Sequence, residues 1–460
     1  MMNRIVACRE RGEMDKLMRL NTALNHLVWG KYMIFLLLFC GFWLFIRTGF
    51  LPLRHGILIM KKTIGSLFHK DEKKGITPFQ AVSTALAGTL GVGSVIGVTT
   101  AITLGGPGAI LWMCVSAFFG MMSKYGEVVL AIHYRNHSDE GYLGGPMTTL
   151  ENGMHSKVLG VIFALLCIFA SFGIGNVTPA NTIAATIQTY IHVPPLIIGM
   201  ILALGIGMIL IGKSKGIMKF NEIIVPFVSV LYLGACIYLI ILHADQLGHV
   251  FEIVLKDAFD LSSVSGGIGG FLTSRAIHYG ISRGVFSNEA GMGSSPISHA
   301  SVDDANAVEQ GFWGIFEVFF DTMVVCVLTA LVVLSSGLLS DGMDGAALTI
   351  ACFEQGFGKA GGIIFAFSII AFAIPSILGW YYYASECIRY LFTSKWVIHI
   401  YNGIFLILLV QGCCMQLSNV WEIADTLNGC MAIPNLISLL FLTETVVKLT
   451  KEYLKEIRSD

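Results

Sequence analysis

Long runs of apolar residues, separated by short polar connections, recur along the whole chain. A transmembrane helix needs about 20 consecutive, mainly apolar residues. Eleven segments approach or exceed this length. The pattern predicts spans at residues 28–50, 79–104, 109–134, 158–190, 194–212, 223–242, 264–286, 311–338, 361–383, 397–415 and 428–447. The chain is therefore predicted to be an all-α membrane protein with 11 transmembrane helices.

Composition agrees with this prediction and excludes several classes of protein. The 460 residues are 55% hydrophobic and only 13% charged, whereas a soluble domain contains about 25% charged residues. The net charge of -1 gives no electrostatic footprint for nucleic acid. The 11 cysteines form no CxxC pair, and many lie inside apolar spans, so neither a metal site nor a disulfide framework is predicted.

The distribution of basic residues predicts an orientation. Lys and Arg are abundant in the connection after the first span and in the C-terminal tail, residues 448–460, whereas the opposite connections hold only Lys256 and Lys359. The positive-inside rule then places the C-terminus in the cytoplasm and the N-terminus outside. The basic N-terminal tail, residues 1–27, runs against this assignment. It shows no cleavable signal peptide, so the first span is expected to be retained.

Two of the predicted spans are interrupted by glycine. Residues 88–97 contain four glycines, and residues 266–270 contain four more. Each glycine weakens a helix by about 1 kcal/mol relative to alanine. Inside a bilayer, unwound backbone persists only where it lines a cavity or is buried in protein. Close helix packing through small residues is the alternative explanation for either cluster.

The positions of the two clusters favour a functional explanation. Without the first span, ten spans remain, and each glycine-rich span opens a half of five, residues 79–242 and 264–447. This is the arrangement of transporters built from inverted repeats, which bind their cargo at the midplane between two broken helices. Free N–H groups there suit a carboxylate, and unwound carbonyls suit a hard cation. A transporter is therefore predicted.

Several ordered motifs resemble the alanine or glycine:cation symporter family, also called sodium:alanine symporters. They are GTLGVGSVIGVTTAI at 88–102, GGPGAILWM at 105–113, GGPM at 144–147, RGVFSNEAG at 283–291 and ILGW at 377–380. The resemblance covers roughly residues 25–450. It implies a LeuT-like fold, with two inverted five-helix repeats plus one extra N-terminal helix at 28–50. It also implies Na⁺-coupled uptake of a small amino acid across a bacterial plasma membrane.

Candidate site residues cluster around the first break and its expected neighbours. Main-chain N–H groups of Gly91 and Gly93 are predicted to bind the substrate carboxylate. The resemblance matches Ser376 to a family threonine that faces the site and Trp380 to a tryptophan of the site wall. The predicted substrate-binding residues are Thr89, Gly91, Gly93, Ser94, Asn176, Pro179, Phe271, Arg275, Ser376 and Trp380, and the predicted ion ligands are Ala87, Leu90 and Ser376.

Some of these assignments have ordinary structural alternatives. Trp380 could equally be an interfacial or packing tryptophan. Asn176 and Asn181 could join helices through hydrogen bonds. The intramembrane acids Glu127, Glu317 and Asp321 are expected to pair or to face water. Residues 287–289 are expected at the cytoplasmic end of the seventh span, in a gating network.

The chain also departs from the family pattern where the cargo is expected. Val92, Ser94, Pro179 and Ser376 replace other residue types, and Arg275 stands where an uncharged residue is usual. Arg275 either reaches the edge of the membrane or binds a carboxylate in the cavity. In the second case it would change the substrate or weaken the Na⁺ dependence.

Four functions compete at this stage. The first is Na⁺-coupled symport of alanine or glycine. The second is a relative with an altered pocket, coupled to H⁺ or carrying another small amino acid. A membrane enzyme lacks support, because the sequence has no GxSxG motif and no Walker loop. A substrate sensor that no longer transports is the fourth. The short tails and loops suggest no obligate protein partner.

Overall fold

The computed structural model describes residues 19–68, 75–91, 93–138, 141–259, 275–343, 345–415 and 418–459, and these residues are mostly helical. A small hairpin joins strand β1 (Asn136–Ser138) to strand β2 (Gly141–Leu143) in antiparallel register. The helices are α1 (Lys31–Arg47), α2 (Leu51–Lys62), α3 (Pro78–Thr89), α4 (Val98–Gly105), α5 (Ala109–His133), α6 (Pro146–Thr148), α7 (Lys157–Phe172), α8 (Thr178–Tyr190), α9 (Pro195–Ile211), α10 (Lys213–Leu242), α11 (Leu247–Ala258), α12 (Arg275–Asn288), α13 (Pro296–His299), α14 (Ala307–Val318), α15 (Val327–Ser335), α16 (Gly345–Phe357), α17 (Lys359–Leu391), α18 (Lys395–Cys414), α19 (Ser418–Phe441) and α20 (Thr443–Ser459).

The all-α membrane architecture is confirmed, but the count of 11 spans is not. In the described ranges, eight helices are long and apolar enough to cross a membrane, and a bent pair makes up to nine. Helix α9, at the predicted fifth span, is apolar but shorter. Much of the predicted seventh span, residues 264–274, lies outside the described residues, and α12 covers the rest.

The first predicted break is present. Helix α3 ends at Thr89, and a wide, π-helical turn begins at Gly93 and leads into α4. The axes of Pro78–Thr89 and Gly93–Gly105 differ by 52°. This bend lies inside the segment where four glycines were expected to weaken the helix, so the local cause is the one predicted from the sequence.

A second break lies beyond the place where the glycine count put it. The predicted cluster at 266–270 is outside the described residues. Helix α12 ends at Asn288, and positive φ angles follow at Glu289 (52°), Gly291 (88°) and Gly293 (81°). Glycine adopts such angles at little cost, and Pro296 then starts α13. Residues 287–289, expected at the cytoplasmic end of the seventh span, lie where α12 ends and are 1–2% exposed.

Close helix contacts hold the bundle together around α5. A Cβ atom built on Gly41 of α1 would lie 2.3 Å from the carbonyl oxygen of Phe119 in α5, so the extra N-terminal helix packs directly on the centre. Helices α12 and α14 pack against other faces of α5. The last helix, α20, crosses the boundary predicted at residue 447. It is anchored on α5 by a 2.6 Å hydrogen bond between the hydroxyls of Thr450 and Tyr125.

Candidate functional site

The first break begins where the α-helical hydrogen-bond pattern of α3 ends. The helix starts in a capping box, in which Thr77 accepts from the N–H of Gln80. At its other end, the N–H of Gly91 donates to the carbonyl of Thr89 at 2.9 Å, not to that of Ala87 four residues back. Carbonyls in the last turn of a helix lack intrahelical partners. The oxygen of Ala87 therefore receives no hydrogen bond from Gly91.

Helix α17 approaches this break closely because two glycines face each other. A Cβ atom on Gly379 would lie 3.2 Å from the main-chain nitrogen of Gly88. The Tyr383 hydroxyl of the same helix donates to the carbonyl of Thr84 at 3.3 Å. This contact brings Ser376, one turn before Gly379, opposite the break. Its Oγ lies 3.5 Å from the position of a Cβ on Gly91.

The side chain of Trp380 is fixed by a glycine of another helix. Trp380 is 1% exposed, and a Cβ atom on Gly175 would lie 2.2 Å from the Trp380 Cβ. No side chain at 175 is compatible with this contact. Gly175 lies in the π-helical turn Gly173–Val177, directly before α8. This wide turn brings the start of α8, with Pro179, to the same place as Trp380.

These elements enclose a small cavity. Its volume is about 30 Å³, which has room for only a few small atoms. The two breaks meet beside it, since a Cβ atom on Gly93 would lie 3.4 Å from the Cα of Ser287. The residues that line the cavity are Gly88, Thr89, Gly91, Gly93, Ile174, Thr178, Pro179, Phe286, Glu289, Ser376 and Trp380.

The structure brings six of the predicted substrate-binding residues to this cavity and leaves others away from it. Phe271 lies outside the described residues. Ser94, Asn176 and Arg275 do not line the cavity. The six that do are Thr89, Gly91, Gly93, Pro179, Ser376 and Trp380.

Ser94 points to a buried carboxylate instead of the cavity. Its Oγ donates to Oδ1 of Asp321 at 2.5 Å and lies 2.9 Å from the Oγ of Ser287. Ser287 donates to Oδ2 of the same carboxylate at 2.9 Å, and Thr322 adds a third hydroxyl at 2.8 Å. Asp321 belongs to the π-helical turn Phe319–Cys326. The predicted substrate ligand is therefore part of a polar network that joins the first break to the span of Asp321.

The amide of Asn176 binds a neighbouring helix. Its Nδ2 donates to the carbonyl of Phe405 at 2.7 Å, and the side chain is fully buried. Asn181 makes the same kind of contact, with the carbonyl of Gly412 at 2.9 Å. Both amides thus attach α8 and the turn before it to α18. Asn176 does not line the cavity, so the structure does not bring this predicted substrate-binding residue to the site.

Arg275 is the first described residue of α12 and does not line the cavity. Its side chain is exposed, and its guanidinium donates to the carbonyl of Leu104 at the end of α4. A cation near the C-terminal end of a helix is favoured by the helix dipole. Arg275 therefore satisfies a helix end, and the prediction of a cavity cation is wrong.

Of the predicted ion ligands, Ser376 lines the cavity, and Ala87 and Leu90 are chain neighbours of the lining residues Gly88, Thr89 and Gly91. Ala87 and Leu90 are 0% and 1% exposed, and Ser376 is 7% exposed. The carbonyl of Ala87 is left without the α-helical hydrogen bond of Gly91, as described above. The donors are oxygens from a helix end and a hydroxyl, the ligand type that a hard cation prefers.

A second buried network lies next to the cavity. The ammonium of Lys124 contacts Oε1 of Glu317 at 3.3 Å, the Oγ of Ser295 at 2.6 Å and the carbonyl of Glu289 at 3.2 Å. Oε2 of Glu317 in turn contacts Nε2 of His299 at 3.2 Å. Lys124, Glu317 and His299 are all fully buried. Lys124 thus holds the second break through its hydrogen bonds to Glu289 and Ser295.

Sequence reasoning missed five of the cavity residues. The motif at 283–291 contains the two that belong to the second break, Phe286 and Glu289. The signal that could have found them is the pair Gly291 and Gly293, followed by Pro296, because this spacing favours a turn that ends a helix. The other three missed residues are Gly88, Ile174 and Thr178.

Comparisons with known sequences agree with this geometry. The family model described as "Sodium:alanine symporter family" matches residues 14–460. The "Sodium/alanine symporter AgcS" of Methanococcus maripaludis is 42% identical over 97% of this chain and 99% of its own length. The "Probable sodium/glutamine symporter GlnT" of Bacillus subtilis is 35% identical over 94% of this chain and 90% of its own.

A comparison with solved structures supports the fold. The crystal structure of MhsT in complex with L-phenylalanine aligns with a TM-score of 0.56 and 15% identity, covering 83% of this chain and 99% of that one. At such low identity the similarity concerns the fold alone, which is the LeuT-like fold that the family resemblance implied. A family match over nearly the whole chain assigns the protein to a transporter family and not to an enzyme family. The chain belongs to the sodium:alanine symporter family.

Proposed function

We propose that the protein imports a small neutral amino acid, of the alanine or glycine type, together with Na⁺ by alternating access. The observation that carries this proposal is the small cavity at which the break at Gly91–Gly93 meets Ser376 and Trp380. Two interrupted spans that meet inside a bundle are the arrangement in which transporters bind zwitterions.

Na⁺ would bind beside the substrate. Main-chain oxygens of Ala87 and Leu90 and the hydroxyl of Ser376 form the proposed ligand set. Ala87 belongs to α3, Leu90 follows the end of α3, and Ser376 belongs to α17. One bound cation would therefore join the first break to a long continuous helix. Such a link makes ion binding favour one arrangement of the two elements, which is the physical requirement for coupling.

The proposed orientation has the N-terminus outside and the C-terminus in the cytoplasm of the cell whose plasma membrane holds the protein. Its support is the basic loop after α1 and the basic C-terminal helix α20, which the positive-inside rule assigns to the cytoplasm. Cysteine labelling from outside at positions added before Arg19 and after Ser459 would test it. Labelling of only the second position would reverse the assignment.

Uptake by proteoliposomes tests the whole proposal. Purified protein is reconstituted, and accumulation of labelled alanine and glycine is followed with an inward Na⁺ gradient, with K⁺ replacing Na⁺, and with a pH gradient alone. Concentrative uptake only with Na⁺ is expected. Uptake driven by pH alone would favour H⁺ coupling, and a screen that favours another amino acid would change the substrate. Binding without accumulation would indicate a sensor and contradict transport.

A further inference from the structure

Glu289 is the one charged side chain among the residues that line the cavity. It follows α12 directly and has a left-handed φ of 52°. The residue is only 2% exposed. An ionised carboxylate inside a membrane protein is costly unless it is paired or hydrogen-bonded. The contacts of the Glu289 carboxylate therefore indicate its function.

The partners of Glu289 leave one oxygen available. Oε2 accepts a hydrogen bond from the hydroxyl of Ser294. Among the described residues, no donor contacts Oε1, and no Lys, Arg or His lies within ion-pair distance of the carboxylate. The nearby Lys124 donates to the main-chain carbonyl of Glu289 and pairs with Glu317. Among the described residues, the carboxylate of Glu289 therefore has no cationic side chain in direct contact.

Two helix ends at the cavity favour opposite charges, one the ammonium group and the other the carboxylate of a zwitterion. Helix α12 runs into Glu289 with its C-terminal end, since the N–H of Glu289 donates to the carbonyl of Val285 at 2.8 Å. The C-terminal end of a helix favours a cation. In the same cavity, the helical turn that starts at Gly93 presents its N-terminal end, which favours an anion.

We propose that Glu289 binds the ammonium group of the transported amino acid and thereby sets the requirement for an α-amino group. This inference rests on the proposed function and names one recognition element of the same cavity. The substrate then lies with its ammonium at Glu289 and its carboxylate toward Gly93. The ammonium group supplies a cation in direct contact with the carboxylate, which no described side chain provides, so affinity for a ligand without an ammonium group is low.

A purely structural role is the competing explanation. In that case Glu289 would only order the second break through Ser294. The two roles differ in one measurable respect. A structural residue affects all ligands of the cavity to a similar degree, whereas an ammonium-binding residue affects only ligands that carry a positive charge.

The test compares alanine with propionate, which is alanine without its ammonium group, on the full-length protein in detergent. Dissociation constants are measured by isothermal calorimetry, or by competition with labelled alanine, for the wild type and for Glu289→Gln. We expect alanine affinity to fall by about tenfold to hundredfold in the variant, because a charge-assisted contact is lost. Propionate affinity is expected to stay the same or improve, so the preference for alanine collapses.

A matched control removes another buried carboxylate. Glu127 is 3% exposed, its Oε1 accepts from Asn435, and it does not line the cavity. The variant Glu127→Gln should keep the wild-type ratio of alanine to propionate affinity. A collapse of the ratio in this control as well would overturn the assignment to Glu289.

A second variant covers the case in which Glu289→Gln does not fold. Glu289→Asp keeps the charge on a shorter side chain, so discrimination against propionate should persist with weaker alanine binding. Loss of discrimination in the folded Asp variant would overturn the proposal, as would equal affinity for alanine and propionate in the wild type. If the wild type binds no amino acid at all, the proposed function fails before this inference is reached.

Discussion

The hydroxyl of Ser376 lies 3.5 Å from the point that a Cβ atom of Gly91 would occupy. This is an ordinary van der Waals distance, and φ of Gly91 is not in the left-handed region, so the main chain tolerates a methyl group there. The methyl group would instead fill part of the cavity. A methyl group added at Gly91 should therefore affect substrate binding and not folding.

Gly91→Ala is therefore expected to keep the fold and to discriminate between substrates by size. Overpacking of a tight site by one methyl group costs about 1–3 kcal/mol. The KM for alanine should rise by about tenfold or more, and that for glycine should rise much less. Initial rates of proteoliposome uptake measure both values.

The control for Gly91→Ala is Gly97→Ala, six residues further along the chain. No heavy atom lies within 4 Å of its built Cβ, and its φ and ψ of -61° and -36° are helical. Wild-type KM values are expected for this variant. An equal loss of glycine and alanine transport in Gly91→Ala would contradict the cavity as the substrate site.

Ser376→Ala is expected to weaken Na⁺ dependence more than alanine affinity. It removes one proposed oxygen ligand and leaves main-chain ligands in place. The Na⁺ concentration for half-maximal uptake should rise by roughly 5- to 20-fold, in line with the loss of one contact to a charged group. The measurement is uptake rate against Na⁺ at constant ionic strength.

Ser368→Ala is the matched variant, two turns earlier in α17. Ser368 is also buried, but its hydroxyl donates to the carbonyl of Ile364 within the helix at 2.9 Å. Its Na⁺ dependence should match that of the wild type. If both serine variants respond alike, the Na⁺ site proposed at Ser376 is wrong.

Lys124→Met is expected to destabilise the protein strongly. It leaves the fully buried Glu317 without its ammonium partner, and breaking a buried ion pair from one side costs about 3–5 kcal/mol. The thermal unfolding temperature in detergent should fall. The double variant Lys124→Met/Glu317→Gln should recover part of the loss, because it removes the uncompensated charge. No recovery in the double variant would show that Lys124 acts through its other contacts.

Arg275→Ala is expected to leave the substrate range and the Na⁺ dependence within about twofold of wild type. Its exposed guanidinium satisfies the end of α4 and does not reach the cavity, so only a surface contribution of about 0–1 kcal/mol is lost. The amino-acid uptake screen, repeated with and without Na⁺, checks this. A shift in preferred substrate would mean that Arg275 enters the cavity in another conformation.

The helical membrane architecture and the first break were predictable because both depend on local sequence. Apolar length determines a span, and the glycines around Gly91 weaken the helix that contains them. Ser376 and Trp380 were found only through the family resemblance. Their proximity to the first break depends on close packing between α3 and α17, which a single sequence does not reveal.

The break beside the cavity was not predicted, because glycine number alone favoured residues 266–270, which lie outside the described residues. Residues 266–270 have the higher local count, but the break beside the cavity depends on the φ angles of Gly291 and Gly293. Hydropathy alone predicts that Glu289 lies at the polar end of a span. Only the tertiary structure shows that Ser294 and Lys124 surround it, so that a carboxylate can lie in the interior. For Asn176 the structure shows the alternative given from the sequence, since its amide donates to a carbonyl of a distant helix.

The contact between Gly175 and Trp380 also constrains the order in which the cavity wall can be redesigned. Any side chain at 175 collides with the first side-chain atom of Trp380, so a change at 175 cannot be introduced on its own. Replacing Trp380 with a smaller residue does not help unless that residue is glycine or the two helices separate, because the colliding atom is the Cβ itself. Engineering of substrate range should therefore begin at Pro179 or Gly91 and leave this pair for last.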